Sequence, residues 1–180
     1  MKRAAMFVTD GFEEIEAVGT FAILRRGGVE VDVYSLLDQD ATGRFGLTCT
    51  KLKPFSAFDG AQYDALILPG GPEYQAMEAN QEVQSQIRAF WKADKLVCAI
   101  CAAPTILGHA GYLKGKNYTC FTSMNEDFGG IYHARYAVRD GNLITGRSAA
   151  ATIAFAFLVL EALEGPAKAE EVKNQIYYEG

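Results

Sequence analysis

The residues with chemistry to offer begin with Cys101. It follows the apolar run Lys95-Leu96-Val97-Cys98-Ala99-Ile100 and precedes Ala102-Ala103-Pro104. A buried strand that turns abruptly into a helix exposes its turn residue, and the small Ala102 and Ala103 permit such an elbow, with sulfur in place of the usual oxygen nucleophile. The positive end of the helix and its free N–H groups favour a thiolate, which predicts a lowered pKa for Cys101. The alternative is a cysteine between alanines that serves only as inert core. Glu16 is the second residue. Its helical neighbours at spacings of three, four and seven are Gly19, Phe12 and Ile23, so its carboxyl sits among small or apolar groups, where burial favours the protonated form and hence a proton donor to a nearby thiolate. A surface acid at a helix start is the competing account. Third, Gly70-Gly71 closes the apolar run Ala65-Leu66-Ile67-Leu68-Pro69. Glycines there allow close backbone approach, and their N–H groups, with that of Ala102, can hold an oxyanion. Gly-Gly after a strand is also a common plain turn.

Positioning these groups requires strands that end together. Residues 4–8 read as a strand, a helix follows from the acids Glu13-Glu14 to Arg25-Arg26, Gly27-Gly28 stops it, and Val29 to Tyr34 alternates with period two as a second strand. Residues 37–56 read as a hairpin excursion. Buried strands at 63–68 and 95–100, helices near 80–92 and 103–110, short strands near 117–122, 132–138 and 142–145, and helices near 149–163 and 167–177 complete the pattern. Alternating strands and helices predict an α/β layered sheet with its site at the carboxyl ends of the strands, over residues 1–180 as one domain.

Composition narrows the classes. The 180 residues carry 17 Lys+Arg against 22 Asp+Glu, a net charge of −5, with 49% hydrophobic residues. That balance supports a packed core and lacks the clustered basic footprint of a nucleic-acid binder. The apolar run Ala149 to Leu160 is too short to span a bilayer, and the N-terminus does not read as a signal peptide, so a cytoplasmic protein is expected. Cys49, Cys98, Cys101 and Cys120 are then expected as thiols. With only His109 and His133 in the chain a metal site is poorly supplied, and both histidines read as polar surface or structural residues. Cys98 and Cys101 form a C-x-x-C, but an extended strand holds their Cα atoms roughly 10 Å apart, beyond disulfide reach. No glycine-rich nucleotide motif is present.

Taken together, Gly11-Phe12-Glu13-Glu14-Ile15-Glu16, Leu66-Ile67-Leu68-Pro69-Gly70-Gly71 and Ala99-Ile100-Cys101-Ala102-Ala103-Pro104 resemble the ThiJ/PfpI superfamily in its branch of Parkinson-disease (DJ-one) and YajL-like bacterial proteins. Arg25-Arg26-Gly27-Gly28 and Ile144-Thr145-Gly146-Arg147 extend the resemblance over nearly the whole chain. It implies a flavodoxin-like three-layer α/β/α sandwich with a mainly parallel sheet, as in class I glutamine amidotransferases, usually homodimeric. It also implies an elbow cysteine paired with a protonated glutamate, at Cys101 and Glu16. Gly70, Gly71 and Ala102 match the oxyanion positions, and Arg44 matches an arginine that reaches the site across the dimer. Members are described as cofactor-independent glyoxalases turning methylglyoxal into lactate, as protein deglycases, and as redox-sensing chaperones. The partners implied are a small aldehyde or a glycated protein.

Departures accompany the matches. Where many relatives place a histidine near the cysteine, this chain reads Cys120-Phe121-Thr122, and Ala102 stands where the protease-like branch has histidine. A Cys–His protease or amidotransferase therefore lacks its base. Tyr74 replaces a usual small residue, and Arg147-Ser148-Ala149-Ala150-Ala151-Thr152 replaces a familiar Arg-Gly-Pro-Gly-Thr stretch. The leading function is turnover of 2-oxoaldehydes at Cys101, its alternative is stress sensing through oxidation of that sulfur, and an amidase or amidotransferase-like hydrolase is a minor alternative. The apolar circumference of the first helix, with Ala17, Val18, Phe21, Ala22 and Leu24, fits a homodimer interface.

Overall fold

A computed structural model describes residues 1–179. Its central sheet takes strands from across the chain: β1 (Arg3–Val8), β2 (Glu30–Ser35), β5 (Lys53–Pro54), β6 (Ala65–Leu68), β7 (Leu96–Ile100), β10 (Ala137–Asp140) and β11 (Leu143–Gly146). The order is β10-β11-β7-β6-β1-β2-β5, parallel throughout except for the edge strand β10. Two short pairs lie outside it: the hairpin β3 (Ala41–Thr42) with β4 (Thr48–Cys49), and β8 (Asn117–Tyr118) with β9 (Ile131–Tyr132).

Buried parallel strands need apolar side chains on both faces, and these have them. Ala4, Met6, Val8, Ala65, Ile67, Cys98 and Ile100 pack on one face against α1 (Glu14–Arg26), α5 (Thr152–Glu164) and α6 (Pro166–Gln175). Their alternates Ala5, Phe7, Leu66, Leu68, Val97 and Ala99 pack on the other against α2 (Tyr74–Ala79), α3 (Gln81–Lys92) and α4 (Pro104–His109). The three-layer sandwich expected from the sequence is thus present. Small residues let α1 and α5 close together: a Cβ on Gly19 would lie 2.8 Å from Thr152 Cγ2.

The chain steps outward from β1 to β2, then returns to the other side of β1 as β6. That reversal opens a crevice at the carboxyl ends of β1 and β6, the place where open α/β sheets bind ligands. Register brings the ends level, with Met6 beside Ile67, Leu68 beside Ala99, and Ile100 beside Gly146.

Four expectations need correction. The excursion at 37–56 is a hairpin, but it ends by adding β5 to the sheet beside β2. A further helix, α2, fills the segment after Gly71. The strand expected over 117–122 stops at Tyr118, because Thr119 N–H donates to Thr145 Oγ1 (2.9 Å) and Phe121 N–H to the Cys101 carbonyl (2.7 Å), leaving no ladder to continue. The strand expected at 132–138 divides likewise into β9 and β10.

Candidate active site

Cys101 follows directly on β7 in the left-handed region, at φ 65°. A residue with a Cβ resists that conformation, and here both of its backbone groups are held: its N–H donates to Gly146 O (2.9 Å) while its carbonyl accepts from Phe121. The elbow is therefore real, although α4 starts only at Pro104 and is six residues long. Gly70 lies against it. A Cβ there would fall 2.6 Å from Cys101 Cβ and 2.7 Å from Glu16 Oε2, so only glycine lets the three groups converge. Gly71 has φ 96°, and a Cβ on it would strike Gly11 O at 2.4 Å, which makes it the second position that excludes side chains.

Glu16 is fully buried on the first turn of α1. Its Oε2 accepts from Gly70 N–H at 2.7 Å, while Oε1 finds no nitrogen or oxygen partner among the described residues. Cys101 is a titratable neighbour of this carboxyl and acts on its protonation. Burial raises the Glu16 pKa from 4.5 to about 7, against the lowering effect of Gly70, Cys101 and Arg44. The helix start is tied to the same turn: Glu13 Oε2 accepts from Glu16 N–H (3.0 Å), and Glu13 N–H donates to Gly70 O (2.9 Å).

The lowered thiol pKa expected for Cys101 is overturned. Burial, then the Glu16 carboxylate, push the thiol up, and the N–H groups of Ala102 and Gly71 pull it down without prevailing. The sequence argument weighed the helix end and omitted desolvation. A thiolate in this pocket requires that Glu16 hold its proton, so that the carboxyl donates to sulfur instead of repelling it.

Arg44 stands at the tip of the β3–β4 hairpin, exposed, its guanidinium 4.9 Å above the Phe45 ring, and it acts on Glu16 of its own chain through charge. Backbone bonds from Gly11 N–H to Thr42 O (2.8 Å) and from Arg44 N–H to Phe12 O (2.9 Å), with Phe45 N–H donating to Glu14 Oε1 (2.7 Å), lace this tip to the turn before α1. Phe121 lies beside the elbow, 42% exposed, with no ring nitrogen to act as base. The two histidines stand elsewhere: His109 bridges Glu78 and Glu126, and His133 Nε2 contacts Asn117 Oδ1 at 2.7 Å.

Sequence reasoning missed Glu73. Almost completely buried two residues after Gly71, its Oε2 accepts from Thr9 N–H at 2.6 Å and its Oε1 has no partner among the described residues. Burial holds its pKa well above the usual carboxylate range, and Glu16 adds to the rise. An acid straight after Pro69-Gly70-Gly71-Pro72, at the end of a buried strand, is the signal that would have found it. The four cysteines are free thiols, and among the described residues no group of three or more His, Cys, Asp or Glu is placed to hold a metal ion.

The chain is 33% identical to protein dj-1beta of Drosophila melanogaster, over 95% of this chain and 94% of that protein. It is 31% identical to a deglycase of Thermococcus kodakarensis, over 77% of this chain and 85% of the relative. Among solved structures, a DJ-1 superfamily protein of Salmonella typhimurium superposes with a TM-score of 0.91 at 32% identity, each chain covered completely. Residues 2–162 match the DJ-1/PfpI family, and this chain belongs to that family.

Proposed function

We propose that the protein is a cysteine-dependent enzyme for small 2-oxoaldehydes, converting methylglyoxal to lactate. One observation carries the reading: a buried carboxyl with a pKa near 7 beside a cysteine fixed on a left-handed elbow. Sulfur adds to the aldehyde carbon as the thiol proton passes to Glu16 and from it to the aldehyde oxygen, which leaves a neutral hemithioacetal and a Glu16 carboxylate. The hemithioacetal loses the proton on that carbon to Glu16, which returns one to the adjacent carbon, while the hydroxyl proton moves to the oxygen of that adjacent carbon. The product is a thioester of lactate. Water then cleaves the S–C bond, releasing the hydroxy acid and the thiol, so the sequence consumes one water and needs no cofactor. N–H groups of Gly70, Gly71 and Ala102 are the oxyanion donors in this scheme, although Gly70 N–H is engaged by Glu16 in the free protein. Arg44 stabilises charge at Glu16 from the rim.

A deglycase among the relatives supports an aldehyde-derived or glycated substrate. A homodimer fits the same reading, since Ile15 and Val18 on α1 and Phe45 and Leu47 on the hairpin are 44–76% exposed and form an apolar surface beside the site. The test is lactate released from methylglyoxal per mole of enzyme in thiol-free buffer, wild type beside Cys101→Ser. Many turnovers, lost in the variant, support the enzyme. Fewer than one lactate per Cys101 sinks it, and leaves the second reading, stress sensing through oxidation of the same sulfur.

A further inference from the structure

A cavity of about 420 Å³ opens beside the elbow, lined by Phe121, Thr122, Ser123, Arg147 and Ser148. Its two walls flank Cys101 through the backbone. Gly146 O accepts from Cys101 N–H and Arg147 is the next residue; Phe121 N–H donates to Cys101 O and Thr122 is the next residue. The cavity therefore adjoins the two segments that hold the Cys101 backbone.

Its chemistry is one-sided. Arg147 Nε donates to Thr122 Oγ1 at 2.9 Å, and that hydroxyl is 3.2 Å from Tyr132 OH. This contact pins the guanidinium plane and leaves its two terminal nitrogens without a protein acceptor among the described residues. No carboxylate lines the cavity, and no ion pair neutralises Arg147 among the described residues. Hydroxyls of Ser123 and Ser148 add donors to the same walls. A half-buried, oriented arginine fork without a counterion, ringed by hydroxyls, matches an oxyanion such as carboxylate or phosphate.

We infer that Arg147, with Thr122, Ser123 and Ser148, forms a seat for an anionic group on the substrate, so that the site prefers aldehydes bearing a carboxylate or phosphate on the side away from sulfur. The inference rests on Cys101 as the attacking group in the proposed function. It does not require that lactate be formed.

Paired alkylation tests it. Iodoacetate and iodoacetamide both put a two-carbon unit on sulfur with loss of iodide, and they differ in whether that unit carries a negative charge. Rates at Cys101 are read by peptide mass spectrometry for wild type, Arg147→Gln and Arg44→Gln. The expected result is an iodoacetate-to-iodoacetamide rate ratio about tenfold lower in Arg147→Gln, the loss of one charge-assisted hydrogen-bonding partner, with the iodoacetamide rate reporting that the fold is intact. Acetate and inorganic phosphate should each slow iodoacetate in wild type but not in Arg147→Gln, and the stronger protector identifies the anion. An unchanged ratio in Arg147→Gln, or a fall confined to Arg44→Gln, overturns the inference, whether or not methylglyoxal is turned over.

Discussion

Carboxyl groups meet a titratable partner in two regions of this molecule, with opposite results. At the elbow, Glu16 is buried against Cys101, and desolvation lifts both pKa values. At the far end of α4, His109 lies between Glu78 and Glu126 with its side chain 43% exposed, and there the Glu78 hydrogen bond is the leading cause that raises the histidine. In the first region water has been removed and the carboxyl holds its proton up to about pH 7. In the second, water remains, and the hydrogen bond to Glu78 favours the protonated histidine. Burial, more than the identity of the neighbour, decides which group carries charge.

The contrast breaks most readily at sulfur. Cys101→Ser should reduce lactate formation to the level seen without enzyme, whereas His109→Gln should leave it unchanged within twofold; assays of both variants on methylglyoxal check this. Glu16→Gln preserves shape and removes the proton shuttle, and its kcat/KM should fall roughly a hundredfold or more. The pH dependence of stability comes next. The Glu16 pKa is raised in the folded state, so its contribution is complete below about 4.5 and is lost as pH rises through about 7. The loss amounts to about 3 kcal/mol, measurable by urea denaturation between pH 4 and 8 (range set for the assay, roughly, by these titrations), and Glu16→Gln should flatten the curve by that amount. His109 should show the smallest effect. Its raised pKa also gives stability that is present below about 6.5 and declines as pH rises through the folded value. Exposure limits this to under about 1 kcal/mol, read as the difference between wild type and His109→Gln at pH 5.5 and pH 8 (roughly one unit or more either side of the ordinary histidine value).

How far the sequence reveals these regions depends on what each requires. The Glu16 position is readable because helical spacing alone places it among Phe12, Gly19 and Ile23, and the elbow is readable because a buried strand meets small residues at Cys101. The direction of the thiol pKa is not, since it depends on how much water the folded pocket excludes. Glu73 escapes because its burial comes from the turn of α2 onto β1, a tertiary contact with no periodic trace. The strands at 117–138 are misjudged for a related reason. Their apolar residues are strand-like, but Thr119 and Phe121 give their N–H groups to Thr145 and Cys101, a choice made across the fold. Arg147 reads as part of a family pattern in the sequence, while its role as the wall of a cavity needs Phe121 and Thr122 beside it.

The left-handed backbone at Cys101 carries a consequence for how this position can evolve. A side chain there costs about 1–2 kcal/mol relative to a relaxed conformation. Glycine is free of that penalty, so Cys101→Gly removes the nucleophile and the backbone strain together, and drift unopposed by selection for function would favour it. A lineage that no longer needed the chemistry would be expected to lose this cysteine early and become harder to unfold as it did so.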